Sequence, residues 1–569
     1  MYPAAFETYD VVIVGSGGAG LRAAVEVAQQ GLRAIILTKG DPKWSGGTLS
    51  AHYSFCGILD EPAEGDSPEV FAQDIIRSGE GISNPQLVHV LTERSGEAIS
   101  FVRKLGVRFD PERPGSSKPH LGWLAGHTYP RAVHVGNAVG REVIRVLLRE
   151  VKRVGIPIHS FTHATDLIVE DGQLKGVLAF HVPSGEIRVY QASAVVMATG
   201  GGSQVYELNT NPLELTGDGY AMALRAGAEL VDMEFVQFYP TVIVFPPGAR
   251  GLMFNSGILI PMGARLVNKH GEDFWERYHV GPLKEATRDI LSKVIAEEIA
   301  KGNGTEHGGV YISTEGMDHT QFPQMQQQLL KDVGLPPEAT KREVAPGAHY
   351  FMGGIRIDTQ GATPLPGLFA AGECAGGIHG ANRLAGAALT ENQVFGQIAG
   401  YHASLYARWH PLPNELSIRP STLDRLTEPI RRLLRSAGTS KISPIAGWKA
   451  VQKVMQTCVG PSRSADGLNK GLAEIEEWRK NFLDQVAPRS ANLQYNRDIS
   501  KALDLRNMLD TAWSVTYAAL LRQETRGAHV RLDYPHKDEN WEKSLVIRQQ
   551  GDKLIARSIV HKGLKKDGG

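Results

Sequence analysis

The sequence predicts an α/β fold that opens with a nucleotide-binding strand–helix–strand unit. An apolar run with β character occupies residues 9–14, and a glycine-rich stretch, residues 15–20, follows it directly. Residues 21–30 then show helical apolar spacing, and residues 33–38 form a second apolar β run. A tight glycine turn between strand and helix directs backbone N–H groups and the positive helix end at a pyrophosphate. An ordinary βαβ turn without ligand has the same local pattern, but here we expect the turn to bind a dinucleotide through Gly15, Gly17, Gly18 and Gly20.

The end of the second β run indicates which dinucleotide is bound. NAD sites usually carry an acidic residue about 20 residues after the glycine turn, at the end of the second strand. Here that place holds Thr38-Lys39, so NAD is disfavoured and FAD is favoured. The loop that follows contains Ser45-Gly46-Gly47-Thr48, whose small residues and hydroxyls suit close approach to the nucleotide or the flavin ring.

Length and composition predict a soluble, multidomain globular protein. The chain has 569 residues, and typical domain sizes then predict roughly three domains. Lys+Arg and Asp+Glu both number 61, so the chain has no basic field for nucleic acid. No apolar run reaches membrane-span length and no signal segment precedes the first strand. We therefore expect a cytoplasmic protein without a membrane span of its own, with peripheral attachment to the inner face of the membrane through partners as the alternative.

The chain has three cysteines, Cys56, Cys374 and Cys458, which are far apart and form no CxxC pair. An iron–sulfur cluster held by this chain alone would need about four cysteine ligands. We therefore expect all three to be packing residues in a reducing compartment, and we expect no metal site.

The middle of the chain alternates helical and β patterns. Helical spacing covers residues 68–105 and 131–154, and residues 165–182 predict two strands joined at Asp171-Gly172, with a further strand completing a β-meander. The apolar run 194–199 predicts a buried strand ending at Gly200, a second point of backbone approach to the dinucleotide. Thr216-Gly-Asp218-Gly precedes a predicted helix, where the threonine or the aspartate is also a candidate N-cap.

Ordered motifs extend along nearly the whole chain. They are Gly15-x-Gly-x-x-Gly20, Ala198-Thr-Gly-Gly201, Thr216-Gly-Asp-Gly219, Glu234-Phe-Val-Gln-Phe-Tyr-Pro-Thr241, Thr287-Arg-Asp289, His349-Tyr-Phe-Met-Gly-Gly354, Gly372-Glu373, His379-Gly-Ala-Asn-Arg-Leu384 and Glu524-Thr-Arg-Gly-Ala-His-x-Arg531. With these motifs the sequence resembles the flavoprotein subunits of the succinate dehydrogenase and fumarate reductase family, which also includes L-aspartate oxidase.

The resemblance implies a Rossmann-like FAD-binding domain in two segments, residues 1–236 and 350–420. An α+β capping domain, residues 237–349, is inserted between them. A helical domain, residues 421–538, and a C-terminal tail, residues 539–569, complete the chain. Helical apolar spacing over residues 421–435, 471–482 and 499–521 independently supports the helical domain.

The resemblance also implies how the chemistry is divided among residues. Moving a hydride to or from a carbon beside a carboxylate needs a flavin on one side, a proton donor or acceptor on the other, and cations for the carboxylate. Arg288 matches the proton-transferring acid or base, and His349 and Arg383 match the pair that grips a substrate carboxylate. Tyr239, Ser256 and Arg265 match further substrate-binding positions. The structural alternatives are an exposed helix charge for Arg288, a core imidazole for His349 and an ion pair for Arg383.

For FAD the resemblance implies a larger set of contacts. The matching positions are Gly15, Gly17, Gly18, Gly20, Lys39, Ser45, Gly46, Gly47, Thr48, Gly200, Asp218, Glu373, Arg383, Ala388 and Leu389. Glu373 is expected to accept a hydrogen bond from a ribityl hydroxyl. The N-terminus of a helix beginning near Ala387 is expected to stabilise reduced, anionic flavin.

One departure from the family concerns the attachment of the cofactor. Respiratory members carry a histidine that bonds covalently to FAD immediately after a serine that matches Ser45. This chain has Gly46 and Gly47 there. We therefore expect non-covalent FAD, as in L-aspartate oxidase, and a flavin less suited to oxidising succinate.

Two further departures concern the substrate. Tyr239 replaces the family's substrate-binding histidine, so the group bound there is a displaced carboxylate or is not a carboxylate. The family's threonine–glutamate–arginine segment is shortened. If residues 256–259 are the anchor, Arg265 keeps the arginine while Pro261 and Met262 replace the hydroxyl and the carboxylate. If Asn268 is the anchor, the arginine is lost, and in both cases the glutamate proton relay is missing.

Three functions remain open from the sequence. The first is interconversion of a saturated and an α,β-unsaturated carboxylate, coupled to an iron–sulfur partner. The second is C–N oxidation of the L-aspartate oxidase type, which residues 126–141 resemble. The third is a flavin electron-relay subunit with a vestigial substrate site; the segment 524–535 resembles flavoproteins that dock iron–sulfur partners. Sites rather than folds decide among them.

Overall fold

The structure of the protein is a computed structural model. It describes residues 3, 5–52, 54–318, 339–412 and 418–561, together with residues 320, 322, 327, 331, 334 and 335. The end of the expected tail, residues 562–569, lies outside the described residues.

Strands and helices alternate in the order that the sequence predicts for an α/β protein. The strands are β1 (Ala5–Val14), β2 (Ala34–Leu37), β3 (Phe55–Cys56), β4 (Ala132–Val133), β5 (Ile158–His159), β6 (Thr162–Glu170), β7 (Gln173–His181), β8 (Glu186–Met197), β9 (Leu230–Val231), β10 (Val236–Phe245), β11 (Arg265–Val267), β12 (Val310–Ser313), β13 (Lys341–Phe351), β14 (Gly354–Arg356), β15 (Leu368–Ala370), β16 (Ala375–Gly376), β17 (Ser462–Arg463), β18 (Val530–Arg531), β19 (Ser544–Gln550) and β20 (Lys553–Ile559). The α-helices are α1 (Gly18–Gln29), α2 (Pro68–Ser78), α3 (Pro85–Glu93), α4 (Ser95–Lys104), α5 (Val139–Arg153), α6 (Asp218–Arg225), α7 (Ser256–Leu259), α8 (Arg288–Glu298), α9 (Ala387–Trp409), α10 (Pro420–Arg435), α11 (Pro444–Cys458), α12 (Ala465–Gln485) and α13 (Arg497–Leu521).

A seven-stranded sheet forms the centre of the molecule. Its order is β5-β2-β1-β8-β7-β6, and β15 pairs with β8 on the side away from β1. The apolar run of β1 lies between β2 and β8 in parallel register, with Val11 opposite both Ala34 and Ala194. Because the ends of three parallel strands meet at one edge, the glycine turn after β1 lies beside the end of β8. The predicted α/β fold class is confirmed.

Segments distant in sequence return to this sheet. Helix α9 packs against α1, and Gly400 permits the contact because a Cβ there would lie 2.6 Å from the carbonyl oxygen of Ala23. Strand β15 adds to the same sheet through residues 368–370. The nucleotide-binding unit is therefore built from two separated segments, one that ends after β9 and one that runs from β14 to α9.

The inserted part has its own sheet and core. Strands β10-β13-β12-β11 form an antiparallel sheet, and α8 packs on β10, where the Ser292 hydroxyl donates to the Phe238 carbonyl at 3.1 Å. Ile243, Phe254, Leu266, Trp275 and Ile295 belong to its buried cluster. We call this unit, β10 to β13 with α7 and α8, the cap.

The C-terminal part contains more than helices. Helix α13 is buried along most of its length and packs against α6, α11 and α12. Beyond it, where a tail was expected, β19 and β20 form a hairpin that pairs with β9 through Val546 and Val231. The C-terminal segment is therefore an integral part of the five-stranded sheet β16-β14-β9-β19-β20.

Several local predictions differ from the structure. The helix predicted over residues 131–154 begins only at Val139, because Ala132 and Val133 pair with β3 instead. The helical stretch 68–105 is three helices rather than one. The third meander strand and the buried strand that ends before the glycines are one strand, β8.

None of the helices in the described part of the chain combines the length and the apolar character that crossing a bilayer requires. Cys56, Cys374 and Cys458 are buried and unpaired, in agreement with their predicted packing role.

Candidate active site

A single large cavity of about 1320 Å³ brings together nearly all the predicted site residues. It lies where the carboxyl ends of β1, β2 and β8 meet the cap. The predicted residues that line it are Gly15, Gly17, Gly18, Lys39, Ser45, Gly46, Gly47, Thr48, Gly200, Asp218, Tyr239, Ser256, Arg288, His349, Glu373, Arg383, Ala388 and Leu389. Gly20 and Arg265 are not among its lining residues.

The turn between β1 and α1 requires glycine for steric reasons. Gly15 has φ +114°, and a Cβ there would lie 2.1 Å from the Ala198 carbonyl oxygen. A Cβ at Gly20 would lie 2.0 Å from the carbonyl oxygen of Gly15, so Gly20 serves the close packing of helix on turn. Helix α1 begins at Gly18 without a side-chain cap from Gly17. This open helix end in a long cavity fits a pyrophosphate, and with it an FAD.

Lys39 lies at the centre of a buried hydrogen-bond and ion-pair network on the cavity wall. Its Nζ lies 2.7 Å from Asp218, 2.8 Å from Asp504 of α13 and 2.6 Å from the Thr216 hydroxyl. Burial alone would lower the pKa of Lys39, but the two carboxylates raise it above its ordinary value. All three ammonium hydrogens thus have protein acceptors, so Lys39 orients the two aspartates and offers the cofactor no free donor.

Two further features lie beside this network. The N-cap of α6 is Gly217, so neither Thr216 nor Asp218 has the side-chain capping role that remained open. His163, Asp218 and Asp504 lie close enough to hold a metal ion. The ammonium group of Lys39 already lies between the two carboxylates as their cation.

Glu373 lies midway along the cavity beside the end of β8. Its carboxylate accepts a hydrogen bond from the Phe351 N–H at 3.0 Å. Burial raises the pKa of Glu373 to about 8. A protonated or hydrogen-bonded carboxyl group in this place suits a ribityl hydroxyl, as the sequence predicts.

Helix α9 begins at the cavity. Gly386 is its N-cap, no side chain caps this end, and Ala388 and Leu389 of the first turn line the cavity. A helix N-terminus carries a partial positive charge, which favours an anionic ring or carbonyl oxygen beside it.

Arg288 and Arg383 converge from opposite walls of the cavity. Arg288 is the first residue of α8, and Arg383 lies on the loop before α9. Gln237 of β10 joins them, since its Oε1 accepts from Arg288 Nη1 at 3.4 Å and from Arg383 Nη2 at 3.0 Å. The other end of the Gln237 amide donates to Asn382 Oδ1 at 2.7 Å and to the Arg383 carbonyl at 3.0 Å. Four contacts therefore fix the orientation of this amide.

Among the described residues, neither arginine has an acidic partner. No carboxylate oxygen in this part of the chain lies within 4.0 Å of either guanidinium, the limiting distance of an ion pair. The Arg383 Nε is buried and has no hydrogen-bond acceptor among the same residues. Burial, and then repulsion from Arg288, lower the pKa of Arg383 to about 10, and burial also lowers the pKa of Arg288. Two buried cations without an ion-pair partner among the described residues form a site for an anionic ligand.

His349 and Tyr239 complete this end of the cavity. His349 Nδ1 lies 2.8 Å from the Thr210 hydroxyl, and its ring packs edge-on against Tyr239. Burial, with the nearby Arg288 and Arg383, holds the pKa of His349 well below its ordinary value. The Arg288 guanidinium lies 5.2 Å from the centre of the Tyr239 ring. His349 is therefore a neutral ring whose orientation the Thr210 contact fixes.

The predicted substrate role of Arg265 is wrong. Its side chain is 52% exposed and lies 4.0 Å from Glu315, and the residue begins β11, away from the cavity. Strand β11 pairs with β12 in the cap sheet, which fixes Arg265 opposite Ser313 on the solvent side. Ser256, by contrast, is buried and lines the cavity.

Residues 126–141, which resemble the L-aspartate oxidase branch, contain a buried ion-pair network around Arg131. Arg131 is 1% exposed and pairs with Asp66 and Asp74, each at 2.6 Å. His134 and Arg141 of the same stretch line the cavity.

Gln237 was not predicted as a site residue from the sequence. The signal that could have identified it is its position two residues before Tyr239, since strand alternation places both on one face.

Comparison with known proteins agrees with this geometry. A family model described as FAD binding domain matches residues 10–389, and one described as fumarate reductase flavoprotein C-term matches residues 448–564. One subunit of the fumarate reductase (CoM/CoB) of Methanothermobacter marburgensis is 36% identical over 547 residues, covering 95% of this chain and 97% of the relative. L-aspartate oxidase of Streptomyces coelicolor is 32% identical, covering 96% and 92%. The solved structure of Mycobacterium smegmatis Sdh1 in complex with UQ1 superimposes with a TM-score of 0.88 at 32% identity, covering 98% and 94%.

Proposed function

We propose that this chain interconverts a saturated and an α,β-unsaturated carboxylate. It belongs to the FAD-binding family of fumarate reductases, succinate dehydrogenases and L-aspartate oxidases. The chain is an FAD-dependent oxidoreductase of this family. The observation that carries the finer proposal is the pair of buried guanidiniums, Arg288 and Arg383, without a carboxylate partner among the described residues. Two buried cations without an ion-pair partner in the described part of the chain favour a ligand that supplies the anion.

FAD, when bound, would supply the two-electron hydride chemistry for the double bond in either direction. Arg288 donates a proton to one carbon of the double bond, or removes it in the reverse direction. Burial lowers the pKa of Arg288 and so eases loss of its proton. Arg383 and His349 hold the carboxylate beside the reacting carbons, and Gln237 keeps the two arginines in register.

FAD is proposed to be bound by contacts alone. Gly46, which follows Ser45 in the cavity wall, has no side chain to form a covalent bond with the flavin. Gly15, Gly17 and the open end of α1 hold the pyrophosphate in this proposal, and Asp218 and Glu373 hold the hydroxyls.

An iron–sulfur protein is proposed as the electron partner. The methanogen relative is named as one subunit of its enzyme, and a C-terminal flavoprotein domain matches residues 448–564. This chain has three buried cysteines, too few for a cluster of its own. Copurification of the tagged chain with a cysteine-rich iron–sulfur protein would support the proposal.

The deciding experiment is reoxidation of the reduced holoprotein. The flavin is reduced anaerobically, excess reductant is removed, and the protein is mixed with α,β-unsaturated carboxylic acids or with iminoaspartate. We expect rapid recovery of the oxidised flavin spectrum with an unsaturated acid, and one saturated acid formed per flavin. Recovery with iminoaspartate alone would instead support C–N oxidation, which the 32% identical L-aspartate oxidase makes the second candidate. Recovery with none of them, together with tight binding of an iron–sulfur protein, would leave an electron-relay role.

A further inference from the structure

The cap side of the cavity is poor in positive charge. The residues it contributes, besides Tyr239, Arg288 and His349, are Gln237, Leu252, Met253, Asn255, Ser256, Gly257, Ile258, Ala286, Thr287 and Leu291. Among these described residues only Arg288 carries a permanent charge. Arg383, from the opposite wall, is the other buried cation at this end.

The polar groups facing Arg288 are neutral. The phenol of Tyr239 lies 3.4 Å from Asn255 Oδ1, and burial raises its pKa above the ordinary value. His349 is neutral as well, because burial and the two arginines hold its pKa well below the ordinary value. The described part of this wall therefore offers Arg288 hydrogen bonds and apolar contacts but no carboxylate within ion-pair distance.

The other basic side chains on the cavity wall include Arg141 and His52, and His52 lies close enough to His349 to help lower its pKa. Arg141 is exposed at the start of α5, and burial lowers the pKa of His52, so His52 is also neutral near pH 7. Arg265, the further arginine expected from the sequence, faces solvent. Arg383 remains to pair with a carboxylate, and Arg288 remains to transfer the proton.

From these charges we propose that the substrate carries one carboxylate, bound by Arg383 and His349, and a neutral substituent at its other end. The inference rests on the proposed carboxylate chemistry and narrows its substrate class to enoic acids with a neutral β-substituent and their saturated forms. A second carboxylate would be desolvated against Tyr239, Asn255 and the aliphatic side chains, and the one cation near it would be Arg288, which the proposed function assigns to proton transfer.

The positions of the two arginines agree with conjugate addition to such an acid. They share one acceptor oxygen on Gln237, so Arg288 lies next to the carboxylate held by Arg383. The proton then goes to the α-carbon, and the hydride, with both electrons from reduced FAD, goes to the β-carbon that bears the neutral group. The C=C π bond breaks and two C–H bonds form, so atoms and electrons balance.

Fumarate, its monomethyl ester and its dimethyl ester test the proposal, because they share one carbon skeleton around the double bond but carry two, one and no carboxylates. The anaerobically reduced holoprotein is mixed with fumarate, monomethyl fumarate or dimethyl fumarate, and kcat/KM for flavin reoxidation is measured, with free reduced FAD as the background control. We expect monomethyl fumarate to exceed both others by at least about tenfold, since its one carboxylate pairs with Arg383 and leaves Arg288 for proton transfer. Fumarate equal to or better than the monoester would overturn the inference and leave the proposed function standing. Reoxidation by none of the three, or equally by the diester, would instead overturn the proposed carboxylate chemistry.

Substitution at Tyr239 provides an independent test of the charge preference. Tyr239→His introduces a protonatable group, so we expect the preference to move towards fumarate, and more at pH 6 than at pH 8, because an ordinary imidazole titrates near pH ~6.5. Tyr239→Phe keeps the ring and adds no charge, and we expect it to retain the preference for the monoester. If the histidine variant binds FAD normally but the order of the three substrates does not change, Tyr239 does not set the charge preference and the inference fails.

Discussion

The side-chain oxygen of Gln237 lies 3.0 Å from Nη2 of Arg383, a hydrogen bond between two buried groups from opposite walls of the cavity. The same oxygen also accepts from Arg288 at 3.4 Å. A neutral acceptor can hold two guanidiniums together without cancelling their charge, which a carboxylate in its place would do. Gln237 is thus positioned to keep both cations for the ligand.

Gln237→Leu should lower kcat/KM by about 10- to 100-fold, because two buried donors lose their shared acceptor, at a cost of roughly 1–3 kcal/mol. Gln237→Glu should act differently and mainly raise KM, because its carboxylate would pair with the arginines and compete with the substrate. Steady-state kinetics over a range of substrate concentrations separates the two effects. Equal loss of kcat in both variants with unchanged KM would argue that Gln237 is only a packing residue.

Arg288→Lys should reduce the rate of flavin reoxidation by about 100- to 10,000-fold, the range for loss of a positioned acid or base, while FAD remains bound. Lysine keeps the charge but neither the reach nor the fork geometry of the guanidinium. Arg277→Lys, at a partly exposed arginine of the cap that pairs with Glu272, is the matched control and should leave the rate unchanged. Stopped-flow absorbance at a single turnover gives the rate directly, and a wild-type rate in Arg288→Lys would exclude proton transfer through this residue.

Acid precipitation should release all the flavin into the supernatant, because Gly46 provides no atom for a covalent bond. The measurement is the flavin absorbance of supernatant and pellet after the protein is denatured. Flavin that stays with the washed pellet would show a covalent attachment through another residue.

Asp504→Asn should weaken FAD binding, because it removes one of the two carboxylates that hold Lys39. Loss of one partner of a buried ion pair typically costs about 3–5 kcal/mol. The FAD dissociation constant and the thermal midpoint of the holoprotein measure the effect. Asp484→Asn, at an exposed aspartate that pairs with Arg432, should change neither quantity.

The same network predicts a dependence on pH. Although burial alone would raise it, Lys39, His163 and Lys501 lower the pKa of Asp504 below its ordinary value. The folded state therefore binds fewer protons at this group than the unfolded state, so the stabilisation is complete above the ordinary pKa and is lost as the pH falls through the lowered folded-state value. Asp504→Asn should therefore reduce the dependence of the free energy of unfolding on pH in this acid range. An unchanged slope would show that Asp504 does not contribute to the pH dependence of stability.

The sequence predicted those features that depend on local backbone geometry or on ordered motifs. The turn at Gly15 and Gly20 could be predicted because steric contact with Ala198 and with the turn itself leaves room only for glycine. The strands of the central sheet could be predicted from apolar runs and glycine placement, and the helix that begins at Ala387 from the family resemblance. The FAD-binding fold and the family followed from the same residues.

The tertiary structure decided how side chains from distant segments meet. Arg265 stands in a family-like stretch, yet the pairing of β11 with β12 turns it towards solvent. Lys39 belongs to the nucleotide loop, but its partner Asp504 is 465 residues away on α13. Gln237 gained its importance only when the fold brought Arg288 and Arg383 to its one amide oxygen. A sequence pattern specifies backbone conformation over a few residues. The charge balance of a buried site depends instead on which side chains from distant segments the complete fold brings into contact.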